Sequence, residues 1–252
     1  MLPLLPAVVA ILVTVALALA ATLARALTPA AGIVAAVFGA VIVVAAGYGF
    51  LALLILFVVA SVLATRYRFS EKKAKQVQEG TMGERGVSNV IAHILIPTGL
   101  ALAVASEPPL LSMPAIAVLY ASALAFGAAD TFGSEFGVLA GKARSILTFR
   151  PVTPGTNGGI SGTGELWAAI GAGTTGIVGW ALFLLFASPA PPGAILVGVV
   201  GISGFLGCQV DSVLGETLEN RNLLTKGSTN FLGMLSSVGI AALLLAALGW
   251  FR

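Results

Sequence analysis

Two acidic hexads interrupt a chain that is otherwise nearly bare of charge: Asp130-Thr131-Phe132-Gly133-Ser134-Glu135 and Asp211-Ser212-Val213-Leu214-Gly215-Glu216. Each reads acid, hydroxyl residue, three small or apolar residues, acid. The chain has ten acidic residues, and four of them stand here. Carboxylates beside long apolar runs are costly and usually functional. The chemistry that explains two such pairs is the holding of a divalent cation, Mg²⁺, that carries phosphates. Asp130, Glu135, Asp211 and Glu216 are the candidate ligands, and Asp130 and Asp211 the candidate catalytic acids. On a straight helix, residues five apart differ by about 140°. Each pair can converge only if its helix ends or loosens, which Gly133, Gly137 and Gly215 permit. The competing reading is four solvated carboxylates at headgroup level, balancing nearby lysines.

A second constellation is FRPVTPGTNGGISGTGE at 149–165. Gly155, Gly158 and Gly159 free its backbone, Thr153 and Thr156 add hydroxyls, and Asn157 adds an amide. Lys142, Arg144 and Arg150 lie just upstream. The loop leads into an apolar helix whose N-terminal amides suit an anion. Phosphate binding is the functional reading; an ordinary flexible loop is the bland one. It is neither a Walker A loop nor a dinucleotide fingerprint. In KGSTNFLG at 226–233, Lys226 and Asn230 can reach a nucleotide, while Ser228, Thr229 or Asn230 can cap the helix that follows. Arg85 and Asn89 lead into another apolar helix beside His93, the only histidine. They are candidates for binding a substrate head group. A lone histidine there is more often structural than basic.

These residues need a scaffold, and the composition says which. Of 252 residues, 58% are hydrophobic and 9% charged. Mean hydropathy is +1.04. Soluble domains carry roughly 25% charged residues, so this chain belongs in a bilayer. A membrane helix needs about 20 apolar residues. The charge-free stretches hold eight, at about 3–24, 29–46, 48–65, 87–105, 112–130, 164–187, 193–211 and 229–250. Breaks fall at Gly47-Tyr48-Gly49 and at Ser188-Pro189-Ala190-Pro191-Pro192-Gly193, and 112–130 is the shortest span. The expectation is one all-α polytopic membrane bundle over 1–252. The 66–86 segment is expected to form an amphipathic helix along the headgroups with a solvated charged face. The first 24 residues lack the basic n-region of a cleavable signal. Cys208, the only cysteine, excludes an internal disulfide and reads as packing.

With eight spans, 12 of the 13 Lys and Arg fall on one side. The positive-inside rule makes that side cytoplasmic. Every acidic residue except Glu107 falls there too. Loops 66–86, 131–163 and 212–228 therefore gather on one face. Basic residues lying between spans make nucleic acid a poor partner. Polar groups crowded at one face, rather than at mid-membrane, favour an enzyme over a transporter. Asp130 and Asp211 stand 81 residues apart. Each is followed by a basic polar segment and an apolar helix, which hints at an internal duplication.

ADTFGSEFGVLAGK (129–142), FRPVTPGTNGGIS (149–161), GCQVDSVLGETLE (207–219) and TNFLG (229–233) occur in the order found in the integral-membrane phytyl-phosphate kinases. The chain resembles that family over about residues 85–240, and more distantly the CTP-dependent phytol and dolichol kinases. The resemblance implies phosphoryl transfer from CTP to a prenyl monophosphate in isoprenoid metabolism. It carries over Asp130, Glu135, the basic residues from Lys142 to Arg150, Pro154 to Gly159, Asp211 and Asn230. Lys142 is thereby a candidate catalytic cation. Two positions depart: Glu216 stands where the family has a small residue, and His93 where it more often has Asn. Phosphoryl transfer asks for positioning, metal ions and cationic clamps, which suits a chain with one histidine. The alternatives are a CTP-using cytidylyltransferase that makes a CDP-lipid, and a transporter or flippase of phosphorylated lipid.

Overall fold

The computed structural model describes residues 4–106, 111–188 and 191–250. Glu107 and the Pro189-Ala190 part of the expected break lie outside the described residues. The chain is an all-α polytopic bundle with, among the described residues, eight helices long and apolar enough to cross a membrane. In chain order its helices are α1 (Leu4–Leu23), α2 (Pro29–Ala46), α3 (Tyr48–Arg66), the short α4 (Phe69–Ala74), α5 (Val87–Val104), α6 (Met113–Gly137), α7 (Gly162–Leu185), α8 (Gly193–Leu214) and α9 (Lys226–Ala247). Gly47 separates α2 from α3 at φ +93°, where a side chain would be strained. Thr28 caps α2, Ser112 caps α6 and Ser161 caps α7, each accepting a bond from a first-turn amide.

The span expected at 112–130 as the shortest is the centre of the molecule. α6 is 25 residues long, and every residue from Ala115 to Ala129 is buried. It packs on α3, α5, α7, α8 and α9. Small residues allow this. A Cβ at Gly171 of α7 would lie 2.8 Å from the Ala128 carbonyl, and one at Gly204 of α8 would lie 2.6 Å from the Ala125 methyl. Close backbone approach of this kind replaces the hydrophobic drive that lipid removes. Buried hydroxyls tie the layers: Tyr120 donates to the Phe50 carbonyl at 2.9 Å, and Ser237 to that of Ser122 at 2.9 Å.

Three differences from expectation, and one expected loosening, shape one end of the bundle. α6 does not loosen at Gly133 but continues as α-helix to Gly137, so the first hexad is helical throughout. The second does loosen, widening into a π-helical turn over Gly215–Glu219. The loop after α6 is not wholly irregular. It carries a small antiparallel sheet of order β2-β1-β3, with β1 (Ala143–Ser145), β2 (Pro151–Val152) and β3 (Gly159–Ile160). The cap of α9 is Thr225, in a reciprocal capping box with Ser228. That leaves Asn230 out of the cap.

The 66–86 segment departs furthest. Only α4 is helical, and its charge is not all solvated. Lys72 is fully buried. Its ammonium donates to Glu135 at 2.7 Å and to the carbonyls of Ala64 and Thr65 at 2.8 and 3.2 Å. The lysine thus caps the C-terminus of α3 while pairing with α6. Arg85 closes the segment by pairing its backbone with Ala26 and Thr28 at 3.0 and 3.1 Å.

Candidate functional site

A polar cavity opens where the loops of that end meet. Its volume of about 370 Å³ falls within the roughly 300–1,000 Å³ of a small-molecule site. α6 contributes Asp130 and Thr131, α8 contributes Asp211 and Ser212, and α9 contributes Lys226 and Asn230. The Pro154–Ser161 loop and the first turn of α7 form a further wall, and Gln76 to Glu79 close it from the 66–86 segment. Beyond Asp130, α6 is sealed by buried apolar residues back to Ala115. The polar wall belongs to one end of the bundle and does not run through it.

Among the expected residues, the cavity gathers Asp130, Asp211, Gly155, Thr156, Asn157, Gly158, Gly159, Lys226, Asn230, Arg85, Asn89 and Glu135. Lys142, Arg144, Arg150 and Thr153 are exposed and off its wall. β1 and the turn after it carry these basic residues outward, and Arg144 donates to the Phe149 carbonyl at 3.1 Å. His93 lies on a neighbouring apolar groove. Its ring stacks between Phe57 and Phe126, at centroid distances of 6.0 and 6.3 Å.

Two of the four expected metal ligands are committed elsewhere. Glu135 accepts from Lys72 through one oxygen and from Thr65 through the other, both at 2.7 Å. Glu216 accepts from the Ser145 hydroxyl at 2.6 Å and from the Leu147 amide at 3.4 Å, which clips the β1–β2 turn to the π-helical turn after α8. Gly158 sits against the same glutamate. Its φ is +76°, and a Cβ there would lie 3.0 Å from the Ser212 carbonyl. This glycine is needed for packing, whatever it does for a ligand. Asn157 is similarly tied to Glu219, at 3.1 Å.

Asp130 and Asp211 remain. Asp211 has a buried carboxylate oxygen with no partner, an acceptor fitted to a cation. No group of three or more His, Cys, Asp or Glu close enough to hold a metal occurs among the described residues. Mg²⁺ commonly takes one or two carboxylates and completes its shell with phosphate oxygens and water. The aspartate pair fits that partial set.

Sequence reasoning missed Glu79 and Glu165, which lie on the wall with Glu219. Glu165, in the first turn of α7, accepts from Gln209 at 2.9 Å. Glu79 pairs with Lys226 at 2.6 Å across 147 positions of sequence. Burial alone would raise the Glu79 carboxyl, but the charge and hydrogen bond of Lys226 outweigh it and hold it below its ordinary value. The wall thus carries Glu79, Asp130, Glu135, Glu165, Asp211 and Glu219 against the cations Arg85 and Lys226. A polyphosphate entering this acid-rich space needs added positive charge. Arg85 is held at the wall: its guanidinium donates to Asn89 at 3.0 Å and Thr131 at 3.4 Å, and its buried Nε has no partner.

Residues 12–238 match the model of the integral membrane protein family DUF92. The chain belongs to that family. An uncharacterised membrane protein of Methanocaldococcus jannaschii is 31% identical over 90% of this chain and 89% of its own. One of Synechocystis is 33% identical over 82% and 79%. Protein PGR of Arabidopsis thaliana is 38% identical over 36% of this chain and 33% of its own. No solved structure matches. The family match covers both hexads and the loop between them, so the cavity belongs to the shared part of the chain.

Proposed function

We propose that this DUF92 protein is a lipid-phosphate kinase that transfers a phosphoryl group from CTP to a prenyl monophosphate on the cytoplasmic face. The carrying observation is the convergence of Asp130, Asp211 and the Pro154–Ser161 loop on one polar cavity at the end of an apolar bundle. The resemblance of these motifs to phytyl-phosphate kinases supports the substrates, and the 12-of-13 basic count supports the side. An oxygen of the lipid phosphate attacks the γ-phosphorus. The bond from that phosphorus to the β–γ bridging oxygen breaks, and CDP leaves with the electron pair. The acceptor is already anionic, so no strong base is required. Mg²⁺ held by Asp130 and Asp211 would neutralise charge on the transferring group. Arg85 orients the lipid phosphate. Lys226 releases Glu79 and takes up a nucleotide phosphate, while backbone groups of 155–159 line its path.

The test is to incubate the purified protein with Mg²⁺, each nucleoside triphosphate and a panel of prenyl monophosphates, and to identify products by mass. CDP with a prenyl diphosphate is the expected pair. Pyrophosphate with a CDP-lipid would instead make the protein a cytidylyltransferase, whose metal and phosphate needs the same walls would meet. Asp130→Asn and Asp211→Asn should each lower turnover at least about a hundredfold, as loss of a charge stabiliser does. Normal turnover in both would remove the metal role.

A further inference from the structure

We propose that the groove between α1, α2, α3 and α5 holds the tail of the lipid phosphate and limits its length. The proposal rests on the lipid-phosphate reading above. The groove is largely apolar, and Thr14, Ala18, Ala35, Gly39, Leu54 and Phe57 are among its walls. Arg85 and Asn89 line both this groove and the polar cavity. One molecule with an anionic head and one apolar tail can therefore occupy both spaces, its charge against the guanidinium.

Two further observations mark the head end of the groove as polar. Ser61 Oγ and His93 Nε2 are buried beside it and have no partner. His93 Nδ1 lies 2.9 Å from the Asn89 carbonyl. A carbonyl only accepts, so Nδ1 carries the proton and the Nε2 lone pair is unpaired. This ring stands one helical turn beyond Asn89, where the head of the ligand gives way to its tail.

The far end is closed by close packing. A Cβ at Gly39 would lie 2.7 Å from the Thr14 methyl and 3.8 Å from Leu51. From the first turn of α2 to Gly39 is about 15 Å at 1.5 Å per residue. That depth takes a single chain of a few isoprene units. In a bilayer the tail leaves one apolar medium for another, so burial gains little. Selectivity comes from fit, and a chain that overruns the groove pays the strain of overpacking.

The experiment has two arms on the full chain in nanodiscs. In the first, a geranylgeranyl monophosphate with a diazirine on its tail is photolysed on the wild-type protein, and the labelled peptides are mapped. Label on α1, α2, α3 and α5, displaced by geranylgeranyl monophosphate and not by phosphatidic acid, is expected. Label confined to other helices overturns the assignment. Equal displacement by phosphatidic acid gives the groove to ordinary membrane lipid and overturns it too. In the second, Ala35→Leu fills the groove part-way along. Binding of geranylgeranyl monophosphate should weaken at least about tenfold, with geranyl monophosphate unchanged. Equal loss of both ligands, or of neither, refutes the length limit. Correct labelling without phosphoryl transfer from any nucleotide would end the kinase reading and leave the groove. Transfer with label elsewhere would do the reverse.

Discussion

Lys72 and Glu135 illustrate how one residue changes meaning with its surroundings. In sequence, Lys72 is one of several charges in a polar segment, and Glu135 completes an acidic hexad. In the fold they form a buried pair at 2.7 Å, with Thr65 on the second carboxylate oxygen. Removing one partner of a buried pair strands the other and costs about 3–5 kcal/mol. Lys72→Met should therefore lower the thermal midpoint of the protein in detergent markedly. Combining it with Glu135→Leu should recover much of that loss, because the uncompensated charge is gone. A Lys72→Met variant as stable as wild type would contradict the latch. Glu216→Ala should act differently. It unclips the β1–β2 turn, so amide exchange near Leu147 should quicken, while turnover falls less than in Asp211→Asn.

At the scale of elements, the 76–84 stretch is held by side chains more than by regular structure. Glu84 accepts from the Thr81 hydroxyl and from the amides of Thr81 and Met82, which holds its carboxyl down at about 2. Glu79 ties the stretch to α9 through Lys226. Because its carboxyl is lowered in the folded state, this tie contributes fully above the ordinary carboxylate range and is lost as pH falls through the lowered value. Protection of the 76–84 amides from exchange, corrected for the intrinsic pH dependence of exchange, should fall on acidification, and Glu79→Gln should show the lower protection already at neutral pH. The same variant should bind CTP more tightly, since Lys226 no longer has to leave a carboxylate. Unchanged exchange in the variant would show that the ion pair does not hold the stretch.

For the whole molecule, contacts across the loop end restrict topology. Lys226 with Glu79, Asn157 with Glu219 and Ser145 with Glu216 join the 66–86, 131–163 and 212–228 regions. These regions must share one side of the membrane. On the proposed reading, the basic count puts that side in the cytoplasm. Single cysteines placed in each loop, in a Cys208→Ala background, should label only from the cytoplasm. Cys208 is a buried packing residue on the cavity wall, and alanine removes only its thiol, so the replacement should be quiet. Labelling of one loop from the opposite side to the others would break the cavity apart.

The sequence by itself determined the solvent, the spans and the end that gathers the polar and charged residues. Hydropathy and the placing of Lys and Arg are local properties, and a bilayer reads them locally. That is why Gly47 was legible as a break and Asp130 and Asp211 as candidates. Tertiary structure alone decided which charges are free. Nothing near Lys72 in sequence announces Glu135, and nothing near Glu79 announces Lys226. Nor did 112–130 announce a central helix: its small residues lower its apparent apolarity but allow five neighbours to pack on it. The basic residues at 142–150 looked like a phosphate clamp until β1 and its turn carried them outward. Pairing and burial depend on contacts between distant segments, and those contacts exist only once the helices have packed.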